Sequence, residues 1–366
     1  MEANELEDMI LTLNATDQFR NTVSNVNYTY SPGMGISNFY LVALRVLYYM
    51  ELYFTPSITI AGILGNITSV ITLSRAKLKS FSSSQYLVSI CLANSIYLIV
   101  ALLKWLGVLG ITLYTVPGLC QVMSFVENSA IFLSNWFVVA FCVDRYISFC
   151  WPAEGARLCN KARATIVLSV LSVTAVVIYI NISITDGVVF QNGQLHCRPL
   201  PFPMHNLKLL LTIKGALNVL APYACVTLLS VIMVVNVYIM HVRDSYSDDN
   251  LPSMLKKTTT TFLLVFYIFH MPYELYHNFK ILRDILNPQN IASHWENLIG
   301  RFLLHFFTVS MALHLPVFAS TYPLFRNYLR LACFTKQQEC SIFKCNSSSA
   351  KETVEFTGVS QDESAV

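Results

Sequence analysis

Residues 120–146 read CQVMSFVENSAIFLSNWFVVAFCVDRY, opening on Cys120, closing on Asp144-Arg145-Tyr146 and holding a single charge between, Glu127. Unpaired backbone amides are costly in hydrocarbon, so a run this long and this poor in charge reads as a membrane-crossing helix. Arg145 lies 25 residues beyond Cys120. At the helical rise that interval covers about 37 Å, which sets the cysteine and the Asp-Arg-Tyr triplet on opposite sides of a bilayer.

Working outward, six further runs carry few or no charges: Leu52–Ser74, Ser80–Leu103, Ala164–Thr185, Gly215–Met240, Thr258–Tyr273 and Phe302–Phe325, with the third span itself taken as Gly118–Val143. Seven spans predict an all-α membrane protein, a seven-transmembrane helix bundle. Composition agrees, since 54% of the residues are apolar and only 12% charged, against about a quarter charged in soluble domains. The net charge of +3 comes without dense Lys/Arg runs, which excludes a nucleic-acid partner. No phosphate loop, metal-spaced His/Cys set or nucleophile elbow occurs, so no catalysis, no cofactor and no metal are expected.

Lys and Arg resist translocation, and Arg75, Lys77, Lys79, Arg157, Lys161, Arg163, Arg243, Lys256 and Lys257 crowd one side of the spans. That side is assigned to the cytoplasm. The amino terminus is then extracellular, in keeping with acceptor sequons at Asn14 and Asn27, and no removable signal precedes the first span. Three regions follow: an extracellular glycosylated segment over 1–46, a seven-transmembrane domain over 47–334 and a disordered cytoplasmic tail over 335–366. Within the second, Tyr322–Phe334 gathers Leu324, Phe325, Tyr328, Leu329 and Leu331 on one side and Arg326 and Arg330 on another. That predicts a short amphipathic eighth helix on the membrane lipid, with Cys333 as a lipidation site. Of ten cysteines, only Cys120, at the outer mouth of the third span, and Cys197, in the loop after the fourth, face the oxidising side, which leaves those two to form a disulfide.

Asp144-Arg145-Tyr146 at the inner end of the third span resembles the corresponding motif of the rhodopsin-like (class A) G-protein-coupled receptors. Gly65-Asn66, Leu92-Ala93-Asn94, Pro222 and Pro272 match the same family in spans one, two, five and six. The resemblance implies that Asp144 holds Arg145 at rest and that Arg145 meets a heterotrimeric G protein when the inner face opens. It also implies helix hinges at Pro222, Pro272 and Pro316, an arrestin partner and a plasma-membrane location. The chain departs from the pattern in several places. Asn94 stands where the family carries an acid, His270 replaces the tryptophan before Pro272, and Leu315-Pro316-Val317-Phe318-Ala319 keeps only the proline of the span-seven motif. An amide at Asn94 lacks the charge with which the family holds a sodium ion.

Lys104, Glu127, Lys214, His270, Glu274 and His277 are expected in or above the outer half of the bundle, and intramembrane charges are ligand-site candidates by default. The bland alternative is internal pairing, Glu127 with Lys104 or Glu274 with Lys214. Charges of both signs, several aromatics and the loop Phe190–Pro203 suit an extracellular peptide, a neuropeptide-like signal. A biogenic amine held by Glu127 is the alternative, and a transporter a remote one. A retinal protein is excluded because Phe302–Phe325 contains no lysine. The last residues, Ser364-Ala365-Val366, fit a PDZ-binding strand.

Overall fold

A computed structural model describes residues 38–75, 81–191, 194–200, 213, 215–243, 260–261, 263–286, 294–321, 325–327 and 329. Among the described residues, five helices are long and apolar enough to cross a bilayer, and a bent pair makes a sixth. The first span is α1 (Asn38–Tyr49), a π turn (Met50–Phe54) and α2 (Thr55–Leu73) in sequence. The second is α3 (Ser82–Trp105) and the third α4 (Leu119–Cys150). A loop helix, α5 (Pro152–Leu158), leads to the fourth span, α6 (Lys161–Tyr179), which α7 (Ile182–Thr185) extends. The fifth joins a π turn (Ala216–Leu220) to α8 (Ala221–Arg243). The sixth, which is not among those six, carries a third π turn (Phe266–His270) followed by α9 (Met271–Leu286). The seventh is the bent pair, α10 (His294–Ala312) and α11 (His314–Thr321), at 49°.

Two span boundaries and one loop differ from the sequence reading. The first helix begins at Asn38, inside the segment assigned to the leader. Tyr40 and Leu47 pack there against Leu298, and the Tyr40 ring meets Trp295 edge-on at 5.0 Å. The seventh span begins at His294, upstream of the expected Phe302. Its charges look hostile to a span in one dimension, yet Arg301 is held by Glu51 at 2.8 and 2.5 Å, and Glu296 by Arg283 at 2.5 Å. Between spans four and five lie two strands that an all-α reading omits. β1 (Asp186–Gln191) and β2 (Gln194–Pro199) pair antiparallel with Val188 opposite Cys197.

Proline shapes three of the described helices in the same manner. A proline has no N–H and its ring crowds the carbonyl four residues earlier, so the preceding turn widens. Before each of Pro56, Pro222 and Pro272 the turn is π: Thr55 N donates to Met50 O, Ala221 N to Ala216 O and Met271 N to Phe266 O. The carbonyl five residues before the proline is then left without its backbone donor. In hydrocarbon no water can replace it, and ahead of Pro56 and Pro222 a side chain does so instead. The Trp105 indole donates to Glu51 O at 2.9 Å, five residues before Pro56. The Trp136 indole donates to Leu217 O at 3.0 Å, five before Pro222, and Asn135 Nδ2 reaches the neighbouring Asn218 O at 3.0 Å. In the seventh span the helix breaks at Leu313 ahead of Pro316, and Asn66 Nδ2 donates to Met311 O at 2.9 Å, again five residues before the proline.

Close packing sets the remaining helix positions. A Cβ added at Gly62 would fall 2.6 Å from Ala312 Cβ and 3.0 Å from Ala312 Cα, so the first and seventh spans touch backbone to backbone. Leu87, Ile90, Phe141, Tyr223, Phe266 and Phe318 fill the inner core, and Tyr97, Leu98, Phe307 and Met311 the outer one. The fourth span leaves Val170, Val173 and Val177 exposed, as a lipid-facing helix should.

Candidate functional site

At the inner end, Asp144 and Arg145 are each 5% exposed. Arg145 Nε donates to Asp144 Oδ2 at 3.1 Å, and its Nη2 contacts the same oxygen. The guanidinium also lies 5.8 Å over the Phe141 ring, and Tyr146 packs half-buried against the inner core. Helix α5 closes beneath: the Asp144 carbonyl accepts from Ser148 Oγ at 2.8 Å and faces Cys159 Sγ at 3.4 Å. A charge pair at this depth holds only while its surroundings stay dry, so admitting water loosens it.

Between the two ends runs a polar seam. Asn94 Oδ1 accepts from the Ser134 hydroxyl at 2.7 Å, and Asn94 Nδ2 sits 3.2 Å from His314 Nδ1. A carboxylate there could hold a cation, whereas this amide presents a donor to the ring. One turn outward, His270 Nε2 lies 2.8 Å from Asn135 Oδ1 and its Nδ1 3.1 Å from Ser310 Oγ. Asn135 Oδ1 can only accept, so the ring donates from Nε2. His270 thereby ties the sixth span to the third and seventh. The seam continues through Asn135 to Asn218, whose Oδ1 takes the Tyr179 hydroxyl at 2.6 Å. Asn94, Ser134, His270, Ser310 and His314 line a small cavity with room for about one water molecule.

At the outer end, Cys120 and Cys197 form a disulfide that ties the β1–β2 hairpin to the top of α4. Ser124 Oγ lies 3.6 Å from Cys197 Sγ and 3.0 Å from the Tyr114 hydroxyl. Above Tyr114 the Lys104 ammonium sits 4.4 Å from the ring centroid and is ion-paired with Glu127. The pairing weighed in the sequence as an alternative for Glu127 and Lys104 is therefore present. Glu274 is 4% exposed. His277 is exposed rather than interior, its ring stacked on Tyr273 at 5.6 Å.

Pro222 is buried, Pro272 half-buried and Pro316 exposed. Asn14, Asn27, Lys214, Cys333, the tail over 335–366 and with it Ser364-Ala365-Val366 lie outside the described residues. Of the amphipathic eighth helix, residues 325–327 are helical and Phe325 is fully buried against Phe318 at 5.6 Å. Sequence reasoning passes over Asn135, Ser310, His314 and Asn218, which read singly as ordinary polar residues. Their signal is positional, because polar side chains on facing helices of a dry bundle find their partners in one another and in nearby carbonyls.

Bundle, seam and buried Asp144–Arg145 pair define an integral membrane receptor architecture. The chain matches the family described as 7 transmembrane receptor (rhodopsin family) over residues 65–341 and belongs to it. That is a family of receptors, not an enzyme class. The thyrotropin-releasing hormone receptors of Mus musculus, Bos taurus and Homo sapiens are each 31% identical to this chain over 105 residues, which is 28% of this chain and 26% of theirs. The alignment thus spans about a quarter of the length of these relatives.

Proposed function

We propose that this receptor binds an extracellular peptide in the outer half of its bundle and, on opening around Arg145, activates a heterotrimeric G protein. The observation that carries the peptide reading is the Lys104–Glu127 pair. A small amine seated on Glu127, the alternative weighed from the sequence, would have to displace an ammonium that already neutralises that acid. Lys280, bonded to Asn297 at 2.8 Å, and the Arg283–Glu296 pair add charges of both signs around the outer rim. A peptide carries both signs and a backbone to match. The likeness to receptors named for a peptide hormone supports the same reading.

Lys104, Glu127, Lys214, His270, Glu274 and His277 are the ligand-site residues of this proposal, and Asp144, Arg145 and Tyr146 its coupling switch. Ligand acts by favouring the open population, which requires tighter binding to that state. The receptor sits in the plasma membrane with its amino terminus outside, glycosylated at Asn14 and Asn27 and lipidated at Cys333. Its tail is offered to arrestin and, through Ser364-Ala365-Val366, to a PDZ domain.

The test is expression with promiscuous G proteins and exposure to a peptide library alongside biogenic amines. Activation by peptides, abolished in Arg145→Ala at unchanged surface expression, is expected. Activation by an amine alone that disappears in Glu127→Gln overturns the peptide reading, and full signalling by Arg145→Ala overturns the switch.

A further inference from the structure

The outer half of the bundle treats its two acids differently. Glu127 has Lys104, whereas the Glu274 carboxyl has neither a hydrogen bond nor an ion pair among the described residues; only its backbone carbonyl is engaged, by Asn278 Nδ2 at 2.9 Å. It stands one helical turn above His270, the outermost bonded member of the sixth-span seam. The Tyr223 hydroxyl, from the fifth span, is also buried and has no partner among the described residues. Hydroxyls of Tyr97, Tyr179, Tyr223 and Tyr273 all lie within electrostatic reach of the carboxyl. A buried acid with no counter-charge among the described residues is costly to the resting bundle. Phenol faces favour cations and phenol oxygens accept from them.

The geometry points to Glu274 as the counter-ion for a cationic group of the activating ligand, a protonated amine or guanidinium seated among Tyr97, Tyr223 and Tyr273. The inference rests on the peptide reading and narrows it: the peptide brings a basic side chain or a free amino terminus to the sixth span. Glu127 cannot fill this role while Lys104 holds it. The competing occupant is Lys214, which lies outside the described residues next to Gly215.

Two measurements on the full-length receptor test this. The first needs no ligand: melting temperatures of purified wild type, Glu274→Gln, Lys214→Met and the double variant. Loss of an uncompensated acid predicts Glu274→Gln melting level with wild type or up to about 3 °C above it. A fall of several degrees, matched by Lys214→Met and not added to in the double variant, assigns Glu274 to an internal pair and overturns the inference. The second uses two matched peptide libraries, one with free amines and guanidiniums, its twin with those groups acetylated or replaced by citrulline. Neutralisation should cost wild type at least about 30-fold in potency, the loss of one desolvated charge contact, and Glu274→Gln almost nothing. Equal potency of the twins on wild type, or undiminished discrimination in Glu274→Gln, overturns it. Silence toward both libraries counts against the peptide reading alone, and the cation inference is then decided by the melting comparison.

Discussion

The indole of Trp136 reaches the Leu217 carbonyl at 3.0 Å, the group that Pro222 leaves without a backbone donor. The same relation holds between Trp105 and Glu51 ahead of Pro56, and between Asn66 and Met311 ahead of Pro316. Each of these bends in the bundle is thus completed by a side chain from a neighbouring span. Bend and helix contact form a single feature.

This makes the donor and the proline energetically coupled. Trp136→Phe should destabilise the receptor by about 1 kcal/mol, the scale of an interhelical hydrogen bond in a membrane. On a Pro222→Ala background, where the substituted residue supplies its own N–H, the same change should cost much less. Thermal denaturation of the four species in a double-mutant cycle gives the answer; strictly additive losses would refute the coupling.

His270 joins the sixth span to Asn135 of the third and Ser310 of the seventh. His270→Phe keeps an aromatic ring and removes both bonds, so the sixth span is freed to move. Ligand-independent signalling should rise several-fold while the melting temperature falls. A variant with lowered stability and unaltered basal signalling would show the histidine to be purely structural.

The Lys104–Glu127 pair is half-buried at the mouth of the bundle. Either Lys104→Met or Glu127→Gln alone leaves one intramembrane charge uncompensated, and surface expression should drop. The exchanged pair, Lys104→Glu with Glu127→Lys, should recover a substantial part of it. Failure of the exchange to improve on both single variants would argue against the pair as a unit.

Cys120 and Cys197 close a loop of sequence separation 77. In the chain-entropy model that cross-link contributes about 4.5 kcal/mol. Cys197→Ser should therefore reach the cell surface poorly and melt well below wild type, and Cys120→Ser should do the same with no further loss in the double variant. Normal yield and melting of either would contradict the bridge.

Gly62 has Ala312 against the place where a Cβ would sit. Gly62→Val forces the first and seventh spans apart and should cost about 1–3 kcal/mol. Gly107, with open space around it, serves as the control, and equal effects at the two positions would dismiss the close approach.

Much of this architecture is legible in one dimension. Apolar run lengths locate the spans, because hydrocarbon permits no unpaired amide, and position in the chain singles out Asp144-Arg145-Tyr146 and the two outside cysteines. The ends of the first and seventh spans are misplaced where Arg45, Glu296 and Arg301 interrupt the apolar pattern. In three dimensions Arg301 finds Glu51 and Glu296 finds Arg283, and a paired charge no longer ends a span. The β1–β2 hairpin likewise escapes a reading by pattern, since six-residue strands in a loop carry a weak local signal.

Sequence alone determined that this chain is a helical bundle threaded through lipid with a charged pair at one end and two outside cysteines at the other, since burial of backbone amides depends on composition and length. Only tertiary structure decided which polar groups meet. Whether Glu127 is neutralised, and which donor answers Pro56, Pro222 or Pro316, depends on neighbours brought from other helices. No stretch of a single helix contains that information, because hydrogen bonds and ion pairs are settled by distance in space.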